Sequence, residues 1–110
     1  TFGHALELLS GYTLRHGDAV ALGTIAATEM SACLGHCDVD LPLRVRAAIE
    51  RLGLPTRHAF DPAAALAAMG TDKKRRGRSL RFVLIRRIGE VFVAEGVQET
   101  EIMTALAAIC

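Results

Sequence analysis

Apolar residues recur at helical spacing through the first two-thirds of the chain, then change to short β-branched and aromatic runs. Ala5, Leu6, Leu8 and Leu9 give the stretch from Thr1 to Leu9 one apolar side, which predicts a short helix broken by Gly11 and Tyr12. A second helix is predicted from near Gly17 to Leu34. Asp18 in its first turn suits the positive end of the helix dipole, and Gly35 supplies a left-handed stop. Ala, Val, Leu, Ile and Met occupy nearly every face of that segment, so it should be the central helix of the core.

Leu41-Pro42 opens a third helix with proline where a missing N–H costs nothing, ending at Gly53 with Pro55 beyond. Asp61 as N-cap and Pro62 as first helical residue open a fourth, expected to close at Gly70. Thr71 to Ser79 is polar and basic, and reads as a loop. Leu80 to Ile85 and Glu90 to Ala94 have strand content, with Ile88-Gly89 as the tight return between them. Such a pair is too small to stand alone and must lie against helices. Gln98 to Ile109 completes the chain as a helix with Ile102, Leu106 and Ile109 at helical spacing. The fold class is therefore mainly α: one helical domain over residues 1–110, carrying one small β strand pair.

Composition narrows the function. The 110 residues are 51% apolar but only 5% aromatic, enough for a single Ala- and Leu-rich core. A net charge of +1 argues against a nucleic-acid or membrane-surface partner, which calls for a large excess of one sign. The longest apolar stretch, Ala19 to Leu34, is interrupted by Thr24, Thr28, Glu29 and Ser31, so no membrane span is expected. An odd count of three cysteines, with no signal-type segment ahead of them, points to a reducing, cytoplasmic location.

Two histidines carry the first candidate chemistry. His4 and His16 are twelve positions apart, not the one-turn spacing that puts two ligands on one helix face. They meet only if the first helix packs beside the start of the second. Imidazole is a good ligand for Zn²⁺, but a catalytic zinc takes three protein ligands plus an open position. The residues alone favour helix-capping or core histidines over a metal site. His16-Gly17-Asp18 at the start of a rigid buried helix is the more suggestive element, because the core then positions the ligand. Cys33-Leu34-Gly35-His36-Cys37 imitates a metal or haem motif without its order; it reads as a small buried hydrophobe at Cys33, with Cys37 and Cys110 as surface residues. The cluster Asp72-Lys73-Lys74-Arg75-Arg76-Gly77-Arg78 suits either closure on a small phosphorylated anion or a solvated loop.

The segments FGHALE, HGDAVALG, LGLPT, MGTDKK and LRFVLIRRIGEVFV, in that order, resemble the C-terminal domain of the 3-dehydroquinate synthases over effectively the whole chain. The resemblance implies the C-terminal half of a two-domain enzyme that binds NAD in an N-terminal α/β domain and zinc, or another divalent metal such as Co²⁺, in the cleft between the domains. It implies conversion of 3-deoxy-D-arabino-heptulosonate 7-phosphate, a seven-carbon keto-acid sugar phosphate, to 3-dehydroquinate plus phosphate in the shikimate pathway, by a homodimer. His16 in HGDAVA matches a zinc ligand of that family. His4 in FGHA matches a histidine that contacts substrate and serves proton transfer. Lys73 and Lys74 match the segment that supplies a lysine to the anionic substrate.

The family motif G-H-x-x-G-H-A places another zinc histidine ahead of Thr1, and the acidic ligand and dinucleotide-binding half are expected upstream as well. No Gly-rich phosphate loop follows a strand in these residues. The 110-residue chain alone is therefore expected to be inactive, with weak zinc affinity through His16. Two other readings stand beside this one: a related sugar-phosphate cyclase or metal-dependent polyol dehydrogenase domain, and a non-catalytic helical interaction module.

Overall fold

The computed structural model describes residues 1–76 and 80–110, with side-chain positions described for 1–70 and 80–110. Among the described residues, five helices and one hairpin run in the order α1 (Phe2–Leu9), α2 (His16–Cys33), α3 (Leu41–Arg51), α4 (Pro62–Arg76), β1 (Arg81–Arg87), β2 (Glu90–Glu95) and α5 (Glu99–Ala107). The mainly helical architecture with a single strand pair is the one the apolar pattern predicts. Helix α2 is its axis: it packs against α1, α3, α5 and β1, while α4 packs against α1 and α5.

Burial follows the helical period. On α2, Leu22, Ile25, Ala26 and Met30 are wholly enclosed, whereas Val20 and Thr24 look outward. From α1, Phe2, Ala5 and Leu6 complete the same core, and α5 adds Ile102, Ala105 and Leu106. Glycine sets how closely α1 and α2 cross. A Cβ on Gly23 would lie 3.1 Å from the backbone nitrogen of Gly3, and one on Gly3 would lie 3.0 Å from the carbonyl oxygen of Ala19. No larger residue allows that approach without separating the helices.

The hairpin is antiparallel, with Val83 opposite Val93 and Ile85 opposite Val91, and its register shifts between Ile85 and Arg87. Gly89, at φ 90°, makes the return. Phe82 and Leu84 point into the core, where the Phe82 ring meets Phe2 at 5.2 Å between centroids. Val83, Val91 and Val93 face outward. Ser31, fully buried on α2, ties the hairpin down: its hydroxyl donates to the Ala27 carbonyl at 2.9 Å and accepts the Ile85 N–H at 2.9 Å.

Two expectations are corrected. Helix α4 does not stop at Gly70; it continues through Thr71 to Arg76, a stretch whose polar, basic composition reads as loop. A glycine ends a helix by turning left-handed, and Gly70 is not among the glycines with positive φ. In a right-handed conformation it costs the helix only about 1 kcal/mol. Cys33 is exposed rather than buried. The buried stripe of α2 passes from Met30 to the half-buried Leu34, which leaves Cys33 turned outward. Cys37 is half-buried and Cys110 exposed, and none of the three is in a disulfide.

Candidate active site

The chemistry-bearing residues gather where α1, the first half of α2 and the hairpin leave a cleft of about 540 Å³. Local sequence explains the components. Thr1 accepts the first helical bond of α1 from Ala5 N–H, and Ser10, Gly11 and Tyr12 end that helix, the last two at φ 65°. The chain turns back through Thr13 and Leu14, and Arg15 in an extended conformation starts α2. The return is short enough that α1 and α2 lie side by side, the arrangement that brings His4 and His16 into a common cavity. Both imidazoles line the cleft and both are exposed to it.

Their surroundings differ. The His16 ring is held by Glu7, with Nδ1 at 2.9 Å from Oε1. A carboxylate is an acceptor, so the imidazole donates from Nδ1 and its Nε2 is free of that bond. The His4 ring makes no hydrogen bond to a described residue, which leaves both nitrogens open to a bound molecule. Asp18, one residue beyond the His16-Gly17 pair, is taken up by Arg15 at 3.2 Å and does not line the cleft.

Sequence reasoning missed Glu7 and Arg81. Glu7 lies three positions after His4 on α1, hence on the same face, and that spacing is the signal that finds it. Arg81 contributes a cation to the cleft wall while its Nε meets Glu95 Oε1 at 2.8 Å. Nothing local marks Arg81, since it arrives from the other end of the chain by way of the hairpin. Lys73 and Lys74 sit on the last turns of α4, and their side chains lie outside the described residues.

The donor chemistry suits a divalent metal in part. An imidazole whose Nδ1 is fixed by a carboxylate and whose Nε2 is open is the arrangement of a metal-ligating histidine. Among the described residues, no group of three or more His, Cys, Asp or Glu side chains converges to hold an ion. His16 is thus suited to be one donor of a larger set. Also among the described residues, no helix is long and apolar enough to cross a membrane.

Comparison with known proteins identifies the family of the chain. Residues 1–75 match the family described as 3-dehydroquinate synthase C-terminal. The chain is 41% identical over 114 residues to the 3-dehydroquinate synthase of Roseobacter denitrificans, covering 96% of this chain and 31% of that protein. Against the synthase of Caulobacter vibrioides it is 42% identical over 114 residues, with 96% and 31% covered. Among solved structures it is similar to ValA, a 2-epi-5-epi-valiolone synthase from Streptomyces hygroscopicus subsp. jinggangensis 5008 with NAD⁺ and Zn²⁺ bound. That similarity has a TM-score of 0.84 at 26% identity, over 98% of this chain and 31% of that one. The chain spans about a third of the length of these relatives.

Proposed function

Because the chain belongs to the 3-dehydroquinate synthase C-terminal family, we propose that it is the helical, substrate- and metal-facing part of an enzyme that converts 3-deoxy-D-arabino-heptulosonate 7-phosphate to 3-dehydroquinate and phosphate. The observation that carries this reading is the cleft lined by His4, Glu7, His16 and Arg81. In it, His16 supplies one imidazole to a divalent cation, zinc or a substitute such as Co²⁺. His4, whose ring is bonded to no described residue, contacts the substrate and holds or moves a proton. Arg81, with Lys73 or Lys74 on the end of α4, attracts the phosphate and carboxylate of the substrate. When bound, a divalent cation would supply positive charge that polarises a substrate oxygen.

The remaining metal donors and the NAD site belong, in this reading, to the two-thirds of the enzyme outside the chain. The 110-residue chain alone is therefore inactive. The same reading makes the complete enzyme a cytoplasmic homodimer, a location that three cysteines outside any disulfide suit.

The test is a chimera in which this chain replaces the corresponding third of the Caulobacter synthase. Supplied with NAD and zinc, the chimera should form dehydroquinate and release phosphate, while the chain alone should form none. His4→Ala in the chimera should lower kcat by about 10²–10⁴-fold, the usual contribution of a positioned acid or base. An active chain without its complement, or an unimpaired His4→Ala chimera, overturns the assignment. A purely packing or partner-binding module would give that second result.

A second reading has one specific support, the structural similarity to ValA at 26% identity. It makes the chain part of a related sugar-phosphate cyclase. Formation of 2-epi-5-epi-valiolone in place of dehydroquinate, in the polypeptide that naturally carries this chain, would favour it.

A further inference from the structure

A metal donor must be aimed, and the backbone position of His16 does not aim it. His16 is the first residue of α2, where no preceding helical turn restrains the side chain, and that side chain is 79% exposed. An imidazole in that position would ordinarily sample several rotamers and both neutral tautomers. Glu7 removes that freedom. Its side chain is only 19% exposed, and its Oε1 lies 2.9 Å from Nδ1 of His16. The other carboxylate of this helix start, Asp18, is already engaged by Arg15. Glu7 stays in reach because α1 and α2 cross at the Gly3–Gly23 contact, so the backbone crossing itself holds the acceptor in register.

We propose that Glu7 is a positioning residue: it accepts the Nδ1–H of His16, selects that tautomer and presents the Nε2 lone pair to a divalent cation in the cleft. The proposal rests on the reading of His16 as a metal donor. The hydrogen bond of one ring nitrogen sets which nitrogen carries the proton and which can bind metal. Neither carboxylate oxygen needs to touch the ion. Glu7 acts entirely through the imidazole.

Two measurements test this. In the ¹⁵N-histidine-labelled chain, with the imidazoles neutral and no metal present, long-range ¹H–¹⁵N correlations report the tautomer of His16, assigned by its loss in His16→Ala. Wild type should show the Nδ1–H form. Glu7→Ala should shift the ring towards the Nε2–H form usual for an unrestrained imidazole. Glu7→Gln keeps an acceptor oxygen and should retain the Nδ1–H form, which also covers the case in which the alanine variant does not fold. An Nε2–H ring in wild type, or no change in Glu7→Ala, overturns the proposal.

In the chimera, zinc titration should show Glu7→Ala weakening affinity about 10–100-fold, the usual effect of removing such a partner. Glu7→Gln should fall between that variant and wild type. If His16→Ala weakens zinc binding while Glu7→Ala leaves it unchanged, the positioning role fails and the metal reading survives. If His16→Ala itself binds zinc as wild type does, the metal reading fails, and the positioning proposal fails with it.

Discussion

Cys37 shows how much a few neighbours change a side chain whose sequence context looks incidental. Partial burial raises its thiol above the ordinary range, and Asp38, Asp40 and Glu29 raise it further by repelling the thiolate. The thiolate is the nucleophile, so at neutral pH a smaller fraction of Cys37 is reactive. Its alkylation by iodoacetamide should be slower than that of the exposed Cys33, and should accelerate as the pH is raised through the elevated pKa. Peptide mass spectrometry of the three thiols reads this directly; equal rates at neutral pH would contradict it. Residue identity suggests a buried Cys33 and a surface Cys37. Their positions relative to the Met30–Leu34 stripe, which depends on where α2 leaves the core, reverse that order.

Among the elements, the crossing of α1 on α2 and the anchoring of the hairpin on α2 matter most. Gly23→Val puts branched carbons where a Cβ is already 3.1 Å from the Gly3 backbone, so the helices must move apart. Overpacking of this kind costs about 1–3 kcal/mol, against about 1 kcal/mol gained at most by removing a helical glycine. Chemical denaturation should show net destabilisation, and the His16–Glu7 contact should loosen with it. A more stable variant would mean the crossing tolerates separation. Ser31→Ala leaves the Ile85 N–H without the hydroxyl it donates to. The cost of an orphaned buried donor is about 1–3 kcal/mol, and Ile85 amide exchange should speed up more than that of Phe82. Unchanged exchange at Ile85 would show that another acceptor takes over. The element boundaries themselves were largely legible: Pro42, Gly53, Asp61 and Gly89 each act locally. Gly70 misleads because a glycine accepts either hand of backbone, and nothing in its neighbours forces the left-handed turn that would stop α4.

Across the whole molecule, Arg46 links parts of the chain far apart in sequence. Its guanidinium on α3 donates to the Thr56 carbonyl at 3.0 Å and to the Ala108 carbonyl at 2.7 Å, and lies 3.9 Å from Glu29 on α2. The segment after α3 also runs beside the C-terminus, where His58 N–H donates to the Ile109 carbonyl at 2.8 Å. Arg46→Met keeps the aliphatic stem but leaves two carbonyls without their charged donor. Hydrogen bonds to a charged group contribute about 1.5–3 kcal/mol, so urea denaturation should register a loss of about that size. A loss below about 0.5 kcal/mol, the low end for an ordinary hydrogen bond, would show that water replaces the guanidinium. Helix α2, α3 and the C-terminal helix would lose a shared tie, while the cleft, which Arg46 does not line, should keep its His16–Glu7 contact.

The sequence by itself determined the helices except for the end of α4, the hairpin, the central place of α2, and the two histidines whose spacing carries the family resemblance. Those features follow from interactions within a few residues of each other, or from a period that can be counted along the chain. Tertiary structure alone decided that His4, His16 and Arg81 share one cleft, that Glu7 is the acceptor for His16, and that Ser31 and Arg46 bind distant segments. Each of those contacts depends on how closely two elements approach, and glycine packing at Gly3 and Gly23 sets that distance where α1 meets α2. His4 and His16 share that cleft because α1 and α2 cross almost without side chains between them.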